Sequence, residues 1–89
     1  MKTSISVLNI LVTRINDLVG ASEEPYTNRK ANIGNYHLDW AYGGVQLHRM
    51  SNERGAIRVI SHDGYSTKPK MDSCLRHIIT GLELASESK

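Results

Sequence analysis

The sequence predicts an α+β domain: an N-terminal helix, a three- to four-stranded antiparallel meander and a C-terminal helix. Three observations predict it. Apolar residues recur every three or four positions from Ile5 to Val19. They alternate strictly on either side of Tyr42-Gly43-Gly44, and they return to helical spacing from Met71 to Leu82. No repeat, low-complexity tract or composition shift divides residues 1–89, so the chain reads as a single domain.

In the first helix, Ile5, Leu8, Leu11, Val12, Ile15, Leu18 and Val19 share one side, and Gly20 stands where a C-terminal cap belongs. With Val7 these residues cover about 160° of the cylinder, and Ile10 widens the arc, whereas packing on a single sheet uses only about 100°. The surplus asks for a second partner, either the other helix or a neighbouring subunit. The segment from Ala21 to Pro25 is polar and leaves the proline extended. Tyr26 to Ile33 reads as a weak edge strand, with Arg29 to Asn32 as a competing turn. Tyr36, Leu38 and Trp40 alternate into the turn at Tyr42-Gly43-Gly44, and Val45 and Leu47 alternate out of it. Asn52-Glu53-Arg54-Gly55 is a second turn, followed by a strand from Ala56 to Ser61 and a closing turn at His62-Asp63-Gly64-Tyr65. Ser66 or Thr67 caps the second helix, Pro69 is tolerated in its first turn, and Met71, Leu75, Ile78 and Leu82 carry its stripe from about Lys68 to Ala85.

A chain of 89 residues hides only about 60 to 65% of the surface that its unfolded form exposes, so its stability margin is narrow. One cysteine forms no internal disulfide, and oligomerisation is the simplest remaining way to add to the core. The lone Cys74 and the polar residues threaded through the first 20 positions suit a reducing cytoplasm, and no apolar run is long enough to span a bilayer. A net charge of +2 neither excludes an anionic small ligand nor suggests an extended DNA footprint.

Motifs for catalysis are mostly absent: there is no Gly-x-Ser-x-Gly, no His-Glu-x-x-His and no Walker-type glycine loop, and His37 with Asp39 is the one pair that could hold a metal or exchange a proton. His37 and Asp39 lie two residues apart on one strand face, but two ligands do not make a metal site unless His48 and His62 converge on them. The chain is therefore read as a non-enzyme with no cofactor and no metal. A recognition site is easier to assemble. Tyr42 offers a ring for a base, Asn52 an amide for a ring edge or ribose hydroxyl, and Lys68 and Lys70 positive charge at a helix N-terminus. Each also has a plainer role: a turn tyrosine, a turn-starting asparagine and two solvated lysines.

Four stretches carry a further signal: Asn32 to Leu38, Ala41 to Val45, Leu47 to Asn52, and Gly64-Tyr65-Ser66-Thr67-Lys68. They resemble a widespread group of small phage and prophage proteins, the first type of phage Thoeris anti-defence protein. The resemblance spans roughly Arg14 to Leu82. It implies the same helix, sheet and helix order, and a sponge that sequesters, without cleaving, the cyclic ADP-ribose isomer by which a bacterial immune system signals cell death. Position by position, the family's stacking aromatic resembles Tyr42 and its ligand-binding asparagine resembles Asn52. Its phosphate-contacting arginine falls at or beside Pro69, a departure that leaves Lys68 or Lys70 to substitute without the bidentate fork of a guanidinium. Arg14 and Arg49 are the remaining basic candidates. The resemblance also implies homodimers that share the ligand site, with some members assembling into hexamers that bind cyclic oligonucleotides as well.

The expectation is thus a homo-oligomeric protein of the host-cell cytoplasm that binds a cyclic adenine nucleotide signal, with no membrane partner and no stable DNA binding. The alternative is a small protein- or nucleic-acid-interaction module in which Arg49, Arg54 and Arg58 meet phosphates or an acidic partner.

Overall fold

A computed structural model describes residues 4–61 and 64–87. Helix α1 spans Ile5–Val19; strands β1 (Tyr26–Thr27) and β2 (Lys30–Ala31) form a miniature hairpin. Strands β3 (Tyr36–Ala41), β4 (Gly44–Met50) and β5 (Ile57–Val59) form a three-stranded antiparallel meander, and helix α2 spans Lys68–Glu87. The α+β reading holds, and both helices have the expected bounds to within a turn. The Ser4 hydroxyl accepts from the Val7 N–H at 3.2 Å, and Gly20, at φ 73°, closes α1 in the left-handed conformation that its missing side chain permits. No helix among the described residues is long and apolar enough to cross a membrane.

One expectation is corrected. Tyr26 to Ile33 is not an edge strand of the meander, because Asn28 and Arg29 both adopt positive φ (51° and 68°) and fold the segment back on itself after two residues. Asparagine adopts that conformation readily, and the tight turn that results suits a hairpin. The miniature hairpin then leans on the β4–β5 turn: the Ala31 N–H donates to the Glu53 carbonyl at 2.9 Å, and the Tyr26 hydroxyl sits where a side chain on Gly55 would be.

Both helices cover the same face of the meander. Leu8, Val12 and Ile15 of α1 and Met71, Leu75 and Ile79 of α2 close over Val45 and Leu47 of β4, with Tyr36 and Leu38 of β3 packed against them. Alternation therefore puts His37, Asp39, Gln46 and His48 on the opposite face. The broad apolar arc of α1 is only partly used. Leu11 and Leu18 reach the core, whereas Ile10 remains 68% exposed.

Two buried asparagines fix the sheet to the rest of the chain. Asn16 (1% exposed) faces the end of β3, accepting from the Tyr36 N–H at 2.8 Å and donating to the Tyr36 carbonyl at 3.0 Å, and so supplies the pairing that a neighbouring strand would. Asn35 (0% exposed) donates to the Ser22 carbonyl at 2.6 Å, while its own carbonyl accepts from the Met50 N–H at 2.9 Å. Each buried amide is thereby satisfied by backbone groups of a distant segment.

Candidate functional site

The β3–β4 connection is a two-residue turn, Tyr42-Gly43, with Gly44 already paired to Ala41 as the first residue of β4. Both turn residues have positive φ (53° and 70°), the backbone that matches the twist of a tight hairpin. Glycine takes it freely; tyrosine does so at a cost of about 1 to 2 kcal/mol. The Tyr42 ring is 93% exposed, and its one aromatic neighbour among the described residues is Tyr65, edge to face at 5.4 Å and 66°.

Gly44 serves a close approach of backbones. A Cβ at this position would fall 2.9 Å from the Ser66 carbonyl oxygen and 3.1 Å from the Tyr65 Cβ. With the side chain absent, Val45 and Ser66 exchange backbone hydrogen bonds of 2.9 and 2.8 Å, which lay the segment before α2 along the hairpin tip. The Tyr65 hydroxyl then reaches across the sheet and donates to Asp39 Oδ2. That bond holds the phenol's proton and raises its pKa above the ordinary 10.0, with burial and the Asp39 charge acting in the same direction.

Beside the tip opens a cleft of about 320 Å³ lined by Ser61, Tyr65, Ser66, Thr67, Lys70, Met71 and Cys74. Its lining is mixed, with hydroxyl groups and Lys70 from the segment before α2 and its first turn, and Met71 and Cys74 as the apolar part. Thr67 caps α2, its hydroxyl accepting from the Lys70 N–H at 3.4 Å. Pro69 has no N–H and Thr67 takes that of Lys70, so the helix start offers fewer free amides to an anion than a typical one. Its attraction rests on the Lys68 and Lys70 ammonium groups and on a first turn without acidic residues. Burial holds the Cys74 thiol above its usual pKa, which keeps this lining residue neutral.

The six residues expected to bind ligand are not brought together in one chain. Tyr42, Lys68 and Lys70 lie at the tip end. Asn52 and Arg49 lie at the other end of β4, about 20 Å away along seven strand residues. Arg14 faces Glu83 at 3.9 Å, one turn short of the end of α2 and about 20 Å of helix from Lys70. Asn52 is occupied by its own turn, its Oδ1 accepting from the Arg54 and Ala56 N–H groups at 2.9 and 3.2 Å. The Arg49 guanidinium lies over the Tyr36 ring at 5.9 Å.

The histidines converge in part. His37 and His48 are directly opposite across β3 and β4, with rings edge to face at 5.6 Å. Burial, then the proximity of His48, lowers the His37 pKa below 6.5 against an opposing pull from Asp39. Each ring is engaged by a neighbouring amide: His37 Nδ1 with Asn35 Oδ1 at 3.2 Å, and His48 Nε2 with Gln46 Oε1 at 2.7 Å. Among the described residues no group of three or more histidine, cysteine or acidic side chains is arranged to hold a metal, and His62 with Asp63 lies outside those residues. The sequence reading did not single out Tyr65 or Asp39 for the tip. The second glycine of the turn was the available signal, since a glycine opening a strand marks a place where another segment comes close.

Comparison with protein-family profiles, with curated proteins and with solved structures returns no match for this chain.

Proposed function

We propose that this protein is a phage anti-defence sponge of the Thoeris-inhibitor type. It binds a cyclic ADP-ribose-class immune signal in the host cytoplasm and sequesters it without cleavage. The observation that carries the reading is Tyr42: a ring 93% exposed, on a backbone conformation unfavourable to it, beside a cleft that ends in lysine charge at a helix start. An exposed aromatic stacks a base, worth about 1 to 3 kcal/mol, and Lys70 in the cleft lining, with Lys68 at the same helix start, suits the phosphates that follow the ribose. No acid–base pair or metal is needed, because lowering the free signal depends on affinity and abundance.

In this reading the site is shared between subunits, as the family resemblance implies. Tyr42, Lys68 and Lys70 of one chain face Asn52 and Arg49 of another, which reconciles groups that lie at opposite ends of β4. The exposed Ile10 on the surplus arc of α1 suits a homodimer, and hexamers follow if a second contact repeats. The test is isothermal titration with cyclic ADP-ribose isomers, followed by heating of the complex and mass spectrometry of what is released. Tight binding with the ligand recovered intact is expected, whereas a cleaved product or no heat with any isomer overturns the reading. Asn52→Asp keeps the turn's accepting oxygen while removing the amide donor, so it separates ligand binding from turn formation.

A second reading rests on a different observation. Arg49 and Arg58 are paired directly across β4 and β5, and neither has an ion-pair partner among the described residues. Like charges so placed destabilise a sheet unless an anion sits between them. In that reading the chain is a nucleic-acid- or protein-interaction module. Its binding weakens with salt by about one logarithmic unit of slope per phosphate neutralised, while a stacked pocket ligand responds less.

A further inference from the structure

We infer that Tyr65 is the positioning residue of the tip site, and that Asp39 is the group that positions Tyr65. This inference deepens the proposed function and rests on it for the ligand, although the contact itself can be tested without one.

The Tyr42 ring is almost fully exposed and turns about two side-chain bonds, so left alone it would present many orientations to an incoming base. Tyr65 is the group that both touches Tyr42, at 5.4 Å, and lines the cleft. It therefore forms the corner where a stacked base would turn into the phosphate-facing cleft. Three features fix that corner. The Val45 and Ser66 backbone hydrogen bonds hold the chain beside Tyr65, the bare Gly44 lets its Cβ settle against the hairpin, and Asp39 Oδ2 accepts the hydrogen bond from its hydroxyl. The raised pKa of the Tyr65 phenol agrees with that bond. On the sheet face without helices, Asp39 lies two residue pairs inward from Ala41 and Gly44, so the phenol's tether is anchored within the hairpin and not at its turn. With the hydroxyl removed the ring keeps its bulk but loses the tether, and Tyr42 loses a fixed edge to lean on. The stacking element becomes disordered, while Lys70 and the helix start are untouched.

The experiment compares wild type, Tyr65→Phe, Asp39→Asn and Asp39→Ala, titrated with adenosine 5′-monophosphate and with ribose 5-phosphate, which has the same sugar and phosphate but no base. Tyr65→Phe is expected to weaken adenosine 5′-monophosphate by roughly three- to tenfold, the scale of one hydrogen bond, and to leave ribose 5-phosphate within about twofold. Asp39→Ala should act similarly, and Asp39→Asn, which retains an accepting oxygen, should recover part of the loss. In a Tyr42→Ala background Tyr65→Phe should add nothing. Equal weakening of both probes, or additive losses, overturns the positioning role. If wild type binds neither probe nor any cyclic ADP-ribose isomer, the proposed function fails, and the contact is then judged by fluorine NMR of fluorotyrosine-labelled protein. A Tyr42 resonance that shifts and sharpens in both Tyr65→Phe and Asp39→Ala sustains the tether; one that stays put in both removes it.

Discussion

The two ends of the central hairpin are built from the same antiparallel ladder and finished in opposite ways. At the open end of β3 and β4, three asparagines hold the chain through side-chain amides and, at Asn35, also through the backbone carbonyl. Asn16 pairs with the Tyr36 backbone, Asn35 with Ser22 and Met50, and Asn32 donates to Ser22, Glu24 and Thr27, so that end is held by polar groups with little capacity left over. At the tip, Tyr42 projects into solvent, Gly44 gives up its side chain to admit a neighbouring segment, and a cleft opens beside the start of α2. Polar groups at the open end are thus engaged in holding the fold. The other end keeps an aromatic ring and two cations uncommitted at some cost in backbone strain.

The largest effect on stability is expected at Asn16. Asn16→Ala removes both hydrogen bonds to Tyr36 and leaves two backbone groups without partners, so urea unfolding should show a loss of about 2 to 4 kcal/mol; a loss under 1 kcal/mol would show that water replaces the amide freely. Gly44→Ala acts at the tip. Its methyl group meets backbone atoms, not a flexible side chain, and destabilisation of about 1 to 3 kcal/mol is expected from the same measurement, with loosening of the segment leading into α2. Tyr42→Gly should do the reverse. Relief of the left-handed backbone at a solvent-exposed ring should leave stability unchanged or raise it by up to about 1 kcal/mol, and a loss of stability would mean that the ring is a packing element. The smallest effect is at His37. Its folded pKa is lowered, so the unfolded chain takes up its proton first as pH falls; the contribution is complete above 6.5 and is lost as pH drops through the lower folded value. Melting temperatures recorded from pH 7 downward should therefore fall slightly less in His37→Gln than in wild type.

Much of this was legible in the sequence. Helical period and caps placed α1 and α2, and alternation around the glycines placed β3 and β4, because these signals depend on neighbours a few residues apart. The miniature hairpin escaped because positive φ at Arg29 has no sequence signature, and its turn displaced the expected edge strand. Tyr42, Lys68 and Lys70 were found by chemistry and do share one end. Asn52 was singled out in the same way and lies elsewhere, as do Arg49 and Arg14, the further basic candidates named beside the family resemblance, since a one-dimensional pattern does not say which end of a strand a turn occupies relative to a helix start. Tyr65 and Asp39 were separated by 26 positions, and only the path of the chain over Gly44 joins them.

The most direct test of the account is a paired titration of wild type and Tyr42→Gly with cyclic ADP-ribose isomers under conditions where both are fully folded. Wild type is expected to bind at least one isomer tightly and the variant to lose about tenfold or more, as when base stacking is removed without harm to the fold. Equal affinity in the two proteins, or no binding by wild type, would contradict it.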